Sequence, residues 1–201
     1  MIARSVNLAR IEQPEKFNAP LFRSLVENLP SRERWVVLDL GAARAQTISL
    51  FGQHNSRLDI ADLADEVNEL NALSDPQLAR NVVEALLPKC KDEATDLVLC
   101  WDIMNYLERP ALSAVMSRIA ARGRNGTLVH ALIFYSHTHM PTRPGCYVPQ
   151  EDCSLLDVAT HLDARPAPRY SPDDLTQCLA DFSIERAMLL SNGMQEFLFR
   201  L

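Results

Sequence analysis

The stretch WVVLDLG, Trp35 to Gly41, decides the fold. Val36, Val37 and Leu38 form a β-branched, wholly apolar run, which reads as a strand buried on both faces of a parallel sheet. Its end, Asp39-Leu40-Gly41, is polar and then flexible, as expected where such a strand gives way to a turn. The pattern recurs twice downstream. DLVLCWD, Asp96 to Asp102, is a second buried strand ending in polar residues, and TLVHALIFY, Thr127 to Tyr135, is a third. Helical stretches separate these runs, and that alternation predicts an α/β architecture.

Working outward, Phe17 to Leu29 has Phe17, Leu21, Leu25 and Val26 at helical spacing and stops at Pro30, so a helix leads into the first strand. AARAQTISLFGQH after Gly41 reads as a helix closing near Gly52, and Arg57 to Ala61 as a short strand running into Asp62. From Asp65 to Pro88 the chain is mostly helical, starting at Ser74 or Asp75. A further strand is expected here, and Val82-Val83 belongs either to it or to the helix. Pro110 sits early in the next helix, which Gly123 and Gly126 end. Residues 136–170 hold five prolines between Pro141 and Pro168 and show no period, so an irregular loop or lid is expected. Ser171, Pro172 and Asp174 then spell a capped helix start. Asn192-Gly193 between SIERAMLL and MQEFLFRL signals a terminal hairpin.

With 201 residues, 47% of them hydrophobic, the chain has the size of one domain, expected over residues 1–201 with 1–34 as a helical lead. A net charge of −6 gives no global attraction to nucleic acid or anionic lipid. The first residues carry charge, without the apolar stretch of a signal peptide, and no run approaches the roughly 18 apolar residues of a membrane span. A cytoplasmic protein is expected. Five cysteines, Cys90, Cys100, Cys146, Cys153 and Cys178, form no CxxC pair and read as reduced thiols. His137 and His139, followed by Cys146 and Cys153, match no structural zinc spacing, so no metal is expected.

In order and spacing, VLDLG, DIAD (Asp59 to Asp62), DLVLCWDIMNYL (Asp96 to Leu107) and the NGMQEFLFRL terminus resemble the class I S-adenosylmethionine-dependent methyltransferases. The resemblance covers about residues 17–201. It implies a three-layer Rossmann-like fold, with a seven-stranded sheet parallel except for the last strand. It also implies S-adenosylmethionine as cofactor, bound beyond the carboxyl ends of the strands where their order reverses. Asp39, Gly41, Ala42, Ala43 and Trp101 would then line the cofactor, and Asp62 would accept hydrogen bonds from its ribose, unless it is a solvent-facing turn aspartate. Asp59 and Asp65 are weaker choices for that role.

The same resemblance places Asp102 and Tyr106 at the reacting centre and Asn105 beside the methyl acceptor; His137, His139 and Tyr147 would face it from the long loop. Trp101 reads equally as core packing and Asp102 as the N-cap of a turn. His130, inside an apolar strand, reads as a hydrogen-bonded core histidine. Arg118, Arg122 and Arg124 suit a helix C-terminus.

The family's glycine pattern is altered. Ala43 and Ala45 stand where its second and third glycines would be, and Arg44 lies between them. A β-carbon at a position needing positive φ costs about 1 kcal/mol and obstructs a ligand that approaches the backbone. Two functions therefore stand side by side. One is a methyltransferase acting on a small-molecule or protein acceptor. The other is a non-catalytic methyltransferase-like binding or assembly protein, a pseudoenzyme, with an exposed apolar surface for self-association as a homo-oligomer or for a partner. A nicotinamide oxidoreductase is a third reading, weakened by the terminal hairpin and the replaced glycines.

Overall fold

The computed structural model describes residues 14–31, 34–89, 93–158, 163–168 and 170–201. Residues 1–13 of the expected N-terminal lead, and Cys90, lie outside them. In chain order the elements are β1 (Glu15–Phe17), α1 (Pro20–Asn28), β2 (Trp35–Asp39), α2 (Ala45–Gly52), β3 (Ser56–Ile60), α3 (Val67–Ala72) and α4 (Pro76–Leu86). There follow β4 (Thr95–Trp101), α5 (Arg109–Arg122), β5 (Gly123–Phe134), β6 (His139–Pro141), β7 (Tyr147–Pro149), β8 (Leu155–Asp157) and β9 (Ala164–Pro166). The chain closes with α6 (Pro172–Cys178), β10 (Ser183–Leu189) and β11 (Met194–Arg200).

The main sheet has six strands in the order β10-β11-β5-β4-β2-β3. β5, β4, β2 and β3 run parallel, and β11 is antiparallel to both its neighbours. All residues of β2 and β4 are buried, which is why their sequences run apolar without alternation. One apolar cluster fills the side of α3 to α6 and the other the side of α1 and α2, giving the three-layer arrangement.

Two expectations change. Among the described residues no strand lies between Ile60 and Thr95, so the sheet has six strands there rather than seven. Val82 and Val83 belong to α4, whose N-cap Asp75 accepts the Gln77 N–H at 2.8 Å and whose apolar face buries Ala79 and Val83. Residues 136–170, which show no period, carry four three-residue strands: β6 pairs with β9, and β7 and β8 join β1 in a small antiparallel sheet. Three residues are too few to display a period of two.

Local signals hold elsewhere. Ser171 and Asp174 form a reciprocal capping box at α6. Gly193 turns the terminal hairpin at φ +82°, a conformation that disfavours a side chain. The three arginines near the end of α5 make specific contacts rather than a general dipole pairing. Arg122 donates to the Asp59 carboxylate at 3.0 Å, Arg118 to the Leu87 carbonyl at 2.7 Å, and Arg124 pairs with Asp96. No helix among the described residues is long and apolar enough to cross a membrane.

Candidate functional site

β3 lies on one side of β2 and β4 on the other, so strand order reverses at β2. A crevice is expected beyond the carboxyl ends of these strands. Asp39 ends β2 there, only 1% exposed. Its Oδ1 accepts two hydrogen bonds, from the Gly41 N–H at 2.9 Å and the Trp101 indole N–H at 2.6 Å. Burial raises the Asp39 pKa to about 6; the two hydrogen bonds oppose that rise, and the charge of Asp62 adds to it. Asp62, two residues beyond β3, is exposed, and its Oδ1 accepts the Ala64 N–H at 3.0 Å. Asp59, by contrast, is held by Arg57 and Arg122, and Asp65 lies 3.8 Å from Arg143.

The altered glycine turn is not strained. Among the described residues positive φ occurs at Trp101, Cys153, Gly126 and Gly193, so Ala43 and Ala45 adopt backbone that any residue accepts. Both alanines are exposed, Ala42 is half-buried, and Ala45 is the first residue of α2. The expected conformational penalty does not arise. Gly41 is the glycine that matters: a methyl group added there would meet the Trp101 indole Cδ1 and Nε1 at 2.8 Å. Arg44, half-buried at the N-cap of α2, has its Nε buried without a hydrogen-bond partner, and its charge acts on the Cys146 thiol.

Trp101 is the strained residue. It ends β4 at φ +49°, a region that costs a bulky side chain of order 1–3 kcal/mol. The surroundings fix it there. Its indole stacks on Tyr147, centroids 5.8 Å apart at 19°, and packs against Phe22 of α1 at 5.8 Å and edge-on to His130 at 6.3 Å.

Asp102 follows, 1% exposed, with its pKa raised to about 7 by burial. The Gly145 N–H reaches both of its oxygens, at 3.1 and 2.9 Å, and the Tyr147 hydroxyl donates to Oδ2 at 3.1 Å; these bonds oppose the rise. Asp102 occupies an N-cap position, yet its side chain makes no capping bond there, so turn capping does not explain it. The segment from Gly145 to Tyr147 is thereby clamped down onto the strand end. Gly145 permits this, because a β-carbon would lie 2.7 Å from the Tyr147 ring. β1 steadies the clamp, with Phe17 edge-on to Tyr147 at 6.1 Å. Pro144-Gly145 is a turn signal in sequence, but nothing in it names Asp102 as partner.

Tyr106 is 1% exposed; its hydroxyl is buried without a hydrogen-bond partner, and the Arg165 guanidinium lies 5.6 Å from its ring centroid. Burial first, and the Asp102 charge second, hold its hydroxyl protonated. The structure therefore brings Asp39, Gly41, Trp101, Asp102, Tyr106 and Tyr147 into one neighbourhood, with the exposed Asp62 near enough for its charge to act on Asp39.

Of the expected acceptor-facing residues, Asn105 and His137 make contacts within the fold, and His139 lies on the surface. Asn105 uses both amide N–H groups on the Asp102 and Leu132 carbonyls at 2.8 Å, and its oxygen accepts the Phe134 N–H at 2.9 Å. It is a strut between the turn and β5. His137 packs edge-on against Phe134 at 5.5 Å and lies over Gly193 of the hairpin. His139 is exposed, with Nδ1 3.1 Å from the Thr138 hydroxyl. No group of three metal-binding side chains occurs among the described residues.

Two residues near the site carried no functional expectation. Phe22 packs on Trp101, and Glu196 organises the layer behind it. Fully buried, Glu196 accepts the Leu21 and Phe22 N–H groups at 2.9 and 2.7 Å and lies 2.8 Å from His130 Nε2. His130 is thus a hydrogen-bonded core residue.

No protein-family model and no curated protein sequence matches this chain. Solved structures do. It is similar to an S-adenosylmethionine-dependent methyltransferase from Clostridium acetobutylicum, at 12% identity over 89% of each chain with a TM-score of 0.53. It is similar as well to a type 11 methyltransferase, described as putative, from Sulfolobus solfataricus, at 12% identity over 92% of each chain with a TM-score of 0.51. A glycopeptide N-methyltransferase complexed with S-adenosylmethionine matches at 11% identity, covering 89% of this chain and 86% of its own, with a TM-score of 0.50. The fold is that of the class I methyltransferases, a mostly parallel sheet closed by an antiparallel terminal hairpin.

Proposed function

We propose that this chain binds S-adenosylmethionine at the crevice beyond β2, β3 and β4 and directs methyl transfer to a small-molecule acceptor. One observation carries the reading: two carboxylates, buried Asp39 and exposed Asp62, stand beyond adjacent strands at the point of order reversal, close enough for one charge to act on the other. Asp62 suits a pair of vicinal hydroxyls, and the turn from Gly41 to Ala45 carries its alanines without positive φ. The neighbouring structure crystallised with the cofactor supports the same choice of ligand.

When bound, the cofactor supplies a methyl group on a sulfonium centre. The chain's own contribution is to hold the acceptor in line and to take its proton where it carries one. Asp102, with a pKa of about 7, is suited to accept that proton near neutrality. The Tyr106 hydroxyl, buried without a hydrogen-bond partner, would orient an acceptor that enters beside it. Tyr147 covers Asp102 through its hydroxyl bond to that carboxylate.

Calorimetric titration with S-adenosylmethionine and S-adenosylhomocysteine tests the reading. We expect binding of both, and at least a tenfold loss of affinity in Asp62→Ala, the scale of about 1.4 kcal/mol. Silence of the native chain towards both ligands at millimolar concentration would overturn it in favour of a non-catalytic module.

A further inference from the structure

The Asp39 carboxylate is an acceptor with a removable donor. Its oxygen Oδ1 takes a backbone N–H from Gly41, which is fixed, and an indole N–H from Trp101, which belongs to a side chain. The indole also occupies the space directly above Gly41, the approach that a glycine at this position opens to a ligand. Trp101 holds that place at a cost in backbone conformation, φ +49° in a bulky residue. Three contacts offset this: the short bond to Asp39, the stack on Tyr147 and the packing of Phe22. A competing donor that takes the Asp39 oxygen removes one of the three contacts that hold the indole in place.

The geometry points to Trp101 as a gate, standing in the seat above Gly41 and leaving it when a ligand with a cationic amine takes over the hydrogen bond to Asp39. This rests on the cofactor reading above and adds a selection rule. The amino-acid portion of the ligand, rather than its nucleoside, opens the site. A nucleoside thioether without that amine has nothing to offer Asp39 in exchange for the indole, and leaves the gate shut. Because Tyr147 is stacked on the same indole and bonded to Asp102, movement of Trp101 frees the clamp over Asp102 as well. Loading of the ligand would thus prepare the acceptor side.

The chain has two tryptophans, so its indole N–H signals form a two-line spectrum with a built-in control. The Trp35 indole donates to the Leu29 carbonyl at 2.8 Å in the core and should not respond. In the 15N-labelled chain, saturating S-adenosylhomocysteine is expected to displace the Trp101 line and leave the Trp35 line in place, while 5′-methylthioadenosine moves neither. Trp101→Phe, which removes the donor and keeps a ring, is expected to bind S-adenosylhomocysteine about tenfold more tightly. Trp101→Ala should bind it more tightly still, and if that variant loses its cooperative melt, the phenylalanine variant decides.

Binding to the native chain with an unmoved Trp101 line, or weaker binding by Trp101→Phe, overturns the gate and leaves the cofactor reading standing. Silence of the native chain with binding by Trp101→Phe overturns the gate as well: the indole then blocks the seat and the ligand's amine does not displace it. Silence of the native chain and both variants overturns gate and cofactor reading together.

Discussion

Asp39 illustrates how a single side chain sets a measurable property of the whole chain. Its folded-state pKa is about 6 against an ordinary 3.8, so the folded protein holds this proton more tightly than the unfolded chain. The resulting stabilisation is complete below about pH 4 and is lost as the pH rises through 6. At pH 8 the buried charge costs up to about 3 kcal/mol, taking 1.36 kcal/mol per unit. Asp39→Asn removes the charge and keeps an oxygen that can accept both the Gly41 and Trp101 hydrogen bonds. It should melt about 5 °C higher than the native chain at pH 8, with the difference vanishing towards pH 4, in thermal scans across that range. Asp39 and Asp102 stand out in the sequence because each closes an apolar run that reads as a buried strand, whereas Asp62 follows the mixed stretch Arg57 to Ala61 and is singled out by resemblance. The direction of the Trp101 ring was not legible there. It depends on Gly41, Phe22 and Tyr147, which lie 60, 79 and 46 positions away in sequence. Asn105 misled for the same reason, since its amide is spent on β5, an element its own neighbourhood does not announce.

At the scale of elements, α1 depends on a cap that it does not carry itself. Ala19 stands at its N-cap and offers no side-chain acceptor, and Pro20 supplies no N–H at the first position. Glu196 on β11 takes the next two N–H groups instead. Glu196→Ala would leave those two donors and the His130 ring without their buried acceptor, a loss of about 3 kcal/mol to be read as a lower denaturant midpoint. The parallel strands, the Ser171 capping box and the Asn192-Gly193 turn were readable because each is dictated by its own few residues. The strands β1 and β6 to β9 were not, because each is three residues long and is defined by its partner. Tyr147→Phe tests their clamp. Without the hydroxyl bond to Asp102, backbone amides from Gly145 to Asp157 should exchange with solvent about tenfold faster, while those of β4 stay unchanged.

Across the whole molecule, protection should follow burial. Amides of β2, β4 and the buried part of β5 are expected to exchange only on global unfolding. Those of β10, exposed along its whole length at the sheet edge, should open locally. Hydrogen exchange followed by peptide mass analysis gives that ranking directly. The α/β class was legible from the alternation of elements, whereas the six-strand count was not, because helical and strand readings of Val82-Val83 both satisfy a short apolar run. The cap of α1 by Glu196 also sets a timetable. The contact joins residues 175 apart, Leu21 and Glu196. At about 5–20 residues per second, a ribosome makes the acceptor roughly 10–35 s after the donor. Throughout that interval the helix that packs Phe22 against Trp101 has no partner for its first amides, so the layer behind the candidate site is among the last parts of a nascent chain to set.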